Sequence, residues 1–184
     1  MGDVSRVLGM NVTFDREKGT ITIDQKDYTE DVVERFGMKD CNPAFTPGAA
    51  PELSLNQPEN DLLDEESKRR YQSVVGATMY LAQVSRYDIL YAVNQLARGM
   101  SKPSKAHMGA AKHLLRYLAG STDFSITYKQ GGFKLAAFSD ANWGNNLDNG
   151  KSTSCIVMLA NGPIGFLRWD FKASTRSQHW KRSA

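Results

Sequence analysis

Apolar and polar positions repeat with different periods along the chain, and the changes of period divide it into segments. Residues 6 to 24 contain two short alternating runs around a polar turn, which predicts a β-hairpin. Residues 24 to 38 then change to helical spacing, with Asp24 as the candidate N-cap and Gly37 at the place of a C-cap glycine. The chain therefore opens with a predicted β-β-α unit.

Residues 39 to 65 contain four prolines, which exclude a long regular element and predict a linker or a long surface loop. The segment from 66 to 119 is apolar enough at helical spacing to predict several buried helices. Ser104 is the candidate N-cap for the last of these helices, and Gly120 can end it.

From residue 121 the period changes to two. The runs "FSITYK" and "KLAAFSD" alternate like adjacent strands joined by a turn at Gly131 and Gly132. The run "STSCIVMLANGPIGFL" predicts two further strands around an "ANGP" turn, and no clear period follows Leu167. The order of elements therefore predicts an α/β fold.

Composition narrows the class without deciding the function. The 184 residues carry a formal net charge of +3, which permits nucleic-acid binding but does not require it. Cys41 and Cys155 lie far apart, so they indicate neither a disulfide framework nor a zinc site. No apolar run approaches the roughly 18 residues of a membrane span, and the N-terminus lacks a signal-peptide core. We expect an intracellular protein, in the cytoplasm or the nucleus, without a membrane partner.

Asp140, in the stretch "AAFSDANWG", is the first candidate for chemistry. A carboxylate at the end of a strand can hold Mg²⁺, which prefers oxygen ligands. Two-metal hydrolysis needs several carboxylates, however, so from its position alone Asp140 is more typical of a turn. Asp148 follows in a polar loop where aspartate favours turns.

Three cations on the last predicted helix form the second candidate. Lys105, Lys112 and Arg116 are spaced seven and four residues apart, which places them in one line, and Lys102 and His113 extend it. Such a line could track phosphates, but it is also typical of a solvated helix face. We interpret His107 as a capping or core-edge residue.

Three ordered stretches carry a resemblance to a known family. They are "LGMNVTFDREKGTITIDQKDYTEDVVERFGM", "VGATMYL" followed by "HLLRYLAG", and "SDANWG". In this order they resemble the Pol polyprotein of copia-type long-terminal-repeat retrotransposons, over about residues 6 to 166. The resemblance implies the end of a reverse transcriptase at 1–38, a Pro-rich linker at 39–65, a helical connection at 66–120 and the beginning of a ribonuclease H domain at 121–167.

The resemblance also implies roles for residues. Asp140 takes the place of the first catalytic aspartate of ribonuclease H, a Mg²⁺ ligand in a four-carboxylate site. Lys105, Lys112 and Arg116 lie in the connection, which resembles the part that holds the primer–template. The chain departs from the family at Tyr87, Asn142 and Cys155, where the family usually has proline, aspartate and glycine. The expected fold is an incomplete ribonuclease H-like mixed sheet, preceded by the helical connection and the β-β-α remnant.

The tail at 168–184 departs further. The family continues with a helix that carries Glu-Ala-Glu-Tyr, whereas this chain reads "SQHWKRSA". Translated one base out of frame, the codons for "HWK" force Leu-Glu and permit the remaining motif, so we expect a frameshift or an incorrect splice junction between about residues 165 and 178.

These observations predict a fragment whose parent performs RNA-directed DNA synthesis and Mg²⁺-dependent cleavage of RNA in RNA–DNA hybrids. The polymerase aspartates of the family precede the segment that this chain matches. We expect the chain itself to be inactive and to bind no Mg²⁺ tightly. The alternatives are a non-catalytic nucleic-acid-binding module, which would bind an RNA–DNA hybrid or another nucleic acid, and a genomic relic without function. The sequence leaves the oligomeric state open.

Overall fold

The computed structural model describes residues 5–48, 53–132, 135–142, 148, 152–160, 163–164 and 170–172. It contains helices and antiparallel sheets, which confirms the α/β class. The strands are β1 (Arg6–Val7), β2 (Met10–Asp15), β3 (Thr20–Asp24), β4 (Ser125–Lys129), β5 (Leu135–Asn142), β6 (Ser152–Ala160), β7 (Pro163–Ile164) and β8 (Asp170–Lys172). The α-helices are α1 (Lys26–Arg35), α2 (Glu65–Val84), α3 (Leu90–Arg98) and α4 (Lys105–Ala119), with 3₁₀ turns at Glu59–Asp61 and Tyr87–Ile89.

The N-terminal unit follows the predicted β-β-α order. β2 and β3 form an antiparallel hairpin, and β1 adds a short strand beside β2. The predicted N-cap of α1 is wrong by one residue, because the cap position is Gln25, while the Asp24 carboxylate still accepts a hydrogen bond from the Lys26 N–H. Gly37 follows the helix with a φ of 72°, the left-handed conformation that glycine adopts without strain, and so confirms the predicted C-terminus.

The hydrophobic core lies among the four α-helices. Each helix presents an apolar stripe to this core, and α2 contributes the most residues because it is buried along much of its length. The completely buried members with an exposed fraction of zero include Val32, Leu81, Val93, Leu114 and Leu118. Apolar packing among the four helices therefore stabilises the helical part of the chain.

The prediction that the strand at 125–129 pairs with the strand after Gly131 and Gly132 is wrong. β4 pairs with β3 and extends the N-terminal hairpin into a four-stranded sheet of order β1-β2-β3-β4. This pairing places Ile126, which is 5% exposed, in register with Ile23, so that joining the first sheet buries the apolar side chain of β4.

The second sheet is formed by the strands from residue 135 onward. β5 pairs with β6, β6 pairs with β7, and all these pairs are antiparallel, which confirms the strands predicted on both sides of the "ANGP" turn. β8 also pairs with β6 and lies in the tail, where no strand was predicted. The other tail residues, including His179, lie outside the described residues.

The Pro-rich segment runs over the surface of the helices. Its described residues contain one short 3₁₀ turn, and backbone hydrogen bonds connect it to the helical part through Ala44 N–H to Arg116 O and Leu63 N–H to Pro103 O. These contacts favour a surface loop over a free linker, while the domain boundaries themselves stay predictions. In the described ranges no helix is both long and apolar enough to cross a membrane.

Candidate functional site

Asp140 lies inside β5 and not in a turn after it, because the strand continues to Asn142. Its Cα is in register with that of Cys155 on β6, and its side chain is exposed. Side chains two residues apart share a face of a strand, so Asp140 lies on the same face as Phe138, which is 61% exposed. The turn alternative for Asp140 is therefore wrong, and its role as a metal ligand stays a prediction.

The described residues do not supply a Mg²⁺ site around this carboxylate. Among them, no group of three or more His, Cys, Asp and Glu side chains could hold a metal ion. Mg²⁺ is normally held by carboxylates in octahedral geometry together with several waters or phosphates, and a two-metal site needs shared anions between the ions. The donor set of the described residues therefore does not fit the four-carboxylate site that the resemblance implies.

The N-terminus of α4 is fixed by a capping box. The Ser104 Oγ accepts a hydrogen bond from the His107 N–H at 3.5 Å, and the Ser104 N–H donates to His107 Nδ1 at 3.3 Å. This pair confirms both the predicted N-cap and the interpretation of His107 as a capping residue. Each half of the box satisfies one of the N–H groups that a helix start leaves without a partner.

His107 is also completely buried, and its second ring nitrogen, Nε2, has no hydrogen-bond partner in the described structure. The ring packs edge to face against Tyr71 and lies so close to Gly99 that a Cβ there would come within 2.5 Å of Nε2. Burial lowers the pKa of His107 below its ordinary value of 6.5; the charge of Asp148 opposes this shift and that of Arg98 adds to it. The neutral ring is therefore the form that the fold accommodates.

The three candidate cations of α4 lie on one side of the helix but in different surroundings. Lys105 is exposed, donates to the Asn60 carbonyl at 3.2 Å and lies 3.6 Å from the carboxylate of Asp61. Lys112 is exposed at the mouth of a pocket of 220 Å³ that it shares with Arg70. A phosphate backbone could reach both lysines.

Arg116 is partly covered by the Pro-rich segment. Its Nε donates to the Asn42 carbonyl at 2.6 Å, and its own carbonyl accepts from the Ala44 N–H. One turn away, a ring nitrogen of His113 lies 2.9 Å from the Thr46 carbonyl oxygen. The segment therefore occupies the C-terminal part of the predicted cation line, and the accessible part is the N-terminal part with Lys105 and Lys112.

Sequence reasoning missed a buried arginine. Arg86, 1% exposed, forms a bidentate pair with the Asp88 carboxylate and donates to both the carbonyl and the hydroxyl of Ser121. Its guanidinium also lies over the rings of Tyr117 and Phe124, at 5.6 Å and 5.0 Å from their centroids. This network joins the end of α2 to the end of α4. An arginine is normally expected at the surface, so no local pattern indicates it.

Asp148 has more contacts than a turn residue requires. Its carboxylate accepts hydrogen bonds from the Ser54 hydroxyl at 2.7 Å, from the Leu55 N–H at 2.9 Å and from Arg98 at 2.7 Å. Burial alone would raise the pKa of Asp148, but the hydrogen bonds from Ser54 and Leu55 and the charge of Arg98 together lower it. The side chain of Asp148 therefore contacts both α3 and the Pro-rich segment.

The chain is similar to known proteins of transposons. No family model and no solved structure matches it. The chain is 32% identical over 176 residues to a Retrovirus-related Pol polyprotein from transposon TNT 1-94 of Nicotiana tabacum, and 38% identical over 158 residues to one from transposon RE1 of Arabidopsis thaliana. These matches cover 94% and 84% of this chain but 13% and 10% of the relatives, so the chain spans about a tenth of their length.

A third relative is much shorter. The Secreted RxLR effector protein 161 of Plasmopara viticola is 37% identical over 103 residues, which cover 55% of this chain and 71% of that protein. The shared segment thus also occurs outside full-length polyproteins. The match to the Nicotiana tabacum protein covers 94% of this chain, so it includes the helical part and strands β5 and β6. This chain belongs to the copia-type retrovirus-related Pol polyproteins of transposons, of which it represents a segment.

Proposed function

We propose that the chain is the Pol segment that spans the end of the reverse transcriptase, the connection and the beginning of a ribonuclease H-like domain. The parent polyprotein would use this region in RNA-directed DNA synthesis and in Mg²⁺-dependent cleavage of RNA within RNA–DNA hybrids. The chain by itself would do neither. The observation that supports inactivity is the position of Asp140, which is exposed on β5 and belongs to no carboxylate cluster among the described residues.

A cleavage assay tests this proposal. The purified chain is incubated with an end-labelled RNA–DNA hybrid in Mg²⁺ or Mn²⁺, and Asp140→Asn serves as the matched variant, because it removes the charge and keeps the shape. We expect intact hybrid with both proteins. Cleavage by the wild-type chain that disappears in Asp140→Asn would show that the catalytic site is complete and that the proposal of inactivity is wrong.

Nucleic-acid binding without catalysis is the second candidate function. The observation that favours it is the exposure of Lys105 and Lys112, which lie seven residues apart on α4 and so on one side of the helix. A row of exposed cations neutralises phosphates and releases counterions, so affinity falls as salt increases. The ligand would be an RNA–DNA hybrid or another nucleic acid.

The salt dependence of binding separates a phosphate contact from a solvated helix face. Binding of a labelled hybrid is measured by fluorescence anisotropy at several salt concentrations. Lys112→Gln should reduce the slope of log K against log salt by about 0.9, the value for one phosphate contact on a duplex. The control is Lys39→Gln, an exposed lysine after α1 that pairs with Glu34. Equal slopes for all three proteins, or no binding at low salt, would exclude this function for α4.

The origin of the tail needs a genetic test. The frameshift hypothesis concerns residues that lie mostly outside the described part, so sequencing of the locus and of a transcript decides it. A Leu-Glu-Ala-Glu reading in the neighbouring frame supports a frameshift or a splice error, whereas its absence contradicts the hypothesis. A missing transcript and a missing peptide would favour a genomic relic.

An intracellular location remains our proposal, and cell fractionation with an antibody against the chain tests it.

A further inference from the structure

The four-stranded sheet of β1, β2, β3 and β4 has one apolar and one polar face. On the polar face, Thr13, Thr22 and Thr127 stand in register across β2, β3 and β4, and the hydroxyls of the last two are 3.2 Å apart. On the other face the registered residues are apolar and form two rows. The inner row consists of Val12, Ile23 and Ile126, and the outer row consists of Phe14, Ile21 and Tyr128.

The two apolar rows differ in burial. Ile126 of the inner row is 5% exposed, and Val12 and Ile23 are half-buried. In the outer row, Phe14 is 41% exposed and Ile21 is 38% exposed, while Tyr128 is half-buried. Apolar side chains in register on neighbouring strands normally stabilise a sheet by packing under a cover. The outer row is not completely covered, so it presents two aromatic rings and an aliphatic side chain at the surface.

These side chains line an open pocket of 590 Å³ at the end of the sheet. Asp15, Arg16, Lys129 and Gln130 also line it, and Asp15 forms an ion pair with Lys18 at 2.9 Å. Lys129 follows Tyr128 and so starts from the polar face, but it is the last residue of β4 and lines the pocket at the end of that strand. The volume falls in the range of roughly 300–1,000 Å³ that is typical of ligand sites. The pocket therefore combines aromatic surface with two cations, Arg16 and Lys129, while its one carboxylate among the described residues, that of Asp15, is paired with Lys18.

The spacing of the two rings limits the ligand. Phe14 and Tyr128 are separated by one intervening strand, so their backbones lie about 10 Å apart, twice the strand spacing. One base between them cannot stack on both rings, but two bases of one strand can each stack on one ring. Phosphates between and beside these bases would meet Arg16 and Lys129. Proteins that bind single strands combine aromatic platforms and cationic borders in this way.

We propose that the face formed by Phe14, Ile21 and Tyr128, bordered by Arg16 and Lys129, binds unpaired nucleic acid through stacking. This surface lies on the sheet and is separate from the lysines of α4, which face a duplex in the proposed function. Only the choice of nucleic acid as the class of ligand rests on that proposed function. A base-paired duplex cannot use the surface, because its bases already stack on one another and offer no free face.

Anisotropy with a fluorescein-labelled oligothymidylate of twelve nucleotides tests the proposal. Phe14→Ala should weaken binding about 5- to 150-fold, which corresponds to roughly 1–3 kcal/mol per stacked base. The matched control is Phe45→Ala, which removes a 99% exposed phenylalanine from a loop and should leave binding unchanged. Lys129→Gln should lower the salt slope by about 0.7, the value for one contact to a single strand.

A second substitution at Phe14 distinguishes loss of binding from loss of the fold. Phe14→Leu keeps an apolar side chain in the strand and removes the ring, so it should keep the unfolding transition and still weaken binding of the oligonucleotide. Wild-type affinity in Phe14→Leu and Phe14→Ala would overturn the proposal. An equal loss of oligonucleotide affinity in Phe45→Ala would also overturn it. A third overturning result is an acidic peptide with leucine and phenylalanine that competes with the oligonucleotide and binds with the same affinity, because it would indicate a peptide-binding surface.

The same proteins distinguish this site from the α4 function. Binding of the RNA–DNA hybrid should be unchanged in Phe14→Ala and reduced in Lys112→Gln, and binding of the oligothymidylate should show the opposite pattern. If the chain binds the oligonucleotide through Phe14 but not the hybrid, the α4 function fails and this site stands. If it binds only the hybrid, this site fails alone.

Discussion

Replacing Arg86 by methionine tests the buried network that joins the ends of α2 and α4. Methionine has a similar length but donates no hydrogen bond, so the substitution leaves the Ser121 carbonyl without its donor and breaks the bidentate pair with Asp88. It also removes the cation from the rings of Tyr117 and Phe124. The substitution leaves these acceptors and rings in place, so its effect on the free energy of unfolding can be estimated for each contact in turn.

Leaving the Ser121 carbonyl without a donor lowers the free energy of unfolding by about 1–3 kcal/mol if water does not replace Arg86. The Asp88 side chain is 31% exposed and still accepts from the Tyr117 hydroxyl at 2.9 Å, so water can compensate part of its loss. The Ser121 hydroxyl keeps its bond to the Tyr117 carbonyl. We therefore expect Arg86→Met to lower the free energy of unfolding by about 3 kcal/mol, the lower end of the range for breaking a buried ion pair.

Urea denaturation followed by far-ultraviolet circular dichroism measures this change. Lys39→Met, which removes one partner of an ion pair whose side chains are 68% and 65% exposed, is the control and should leave the midpoint unchanged. Arg86→Lys keeps the charge but loses the fork geometry, so it should fall between the wild-type chain and Arg86→Met. A loss below about 1 kcal/mol in Arg86→Met would refute the assumption that water is excluded from the Ser121 carbonyl.

Two further predictions concern the side chains around Arg98. Because burial lowers the pKa of His107 in the folded state, the unfolded chain binds more protons just below pH 6.5, so stability that is present above this pH should fall as the pH drops toward the folded pKa. Urea midpoints at a series of pH values should show this loss of stability in the wild-type chain. The loss should be smaller in His107→Gln, because glutamine keeps the capping box but does not titrate. An equal loss in both proteins would exclude His107 as its cause. Asp148→Asn should lower the free energy of unfolding by about 1–3 kcal/mol, because the charged acceptor of Arg98 and Ser54 is lost. A double-mutant cycle with Arg98→Gln should give a coupling of at least about 0.5 kcal/mol, and additive effects would contradict a direct Arg98–Asp148 interaction.

Features that depend on neighbouring residues could be predicted from the sequence. The N-cap at Ser104 and the left-handed glycine at position 37 follow from local backbone chemistry, and the structure has both. The strands around the "ANGP" turn are also local, because a short turn leaves antiparallel pairing as the simplest arrangement. For such features a stretch of a few residues contains all the physical information that is needed.

Features that depend on distant partners could not be predicted in the same way. The alternation in β4 fits any antiparallel neighbour, and the true neighbour, β3, lies about a hundred residues earlier in the chain. The burial of Arg86 and the docking of Asp148 depend on groups that only the fold brings together, such as Ser121 for the first and Ser54 for the second. In each case the side chain is polar by type, so its pattern in the sequence is that of a surface residue.

The distribution of burial determines what a substitution at Asp140 can reveal. The hydrophobic core consists of residues from the helical part, between Val32 and Leu118, whereas residues 135–140 of β5 are all exposed. An exposed aspartate outside the core contributes little to the free energy of unfolding, because most surface substitutions change it by less than about 0.5 kcal/mol. Asp140→Asn should therefore leave the urea transition of the chain unchanged. It follows that any loss of metal-dependent activity in this variant would report the chemistry of the carboxylate and not a damaged fold, whereas the same loss in Arg86→Met would not separate the two causes.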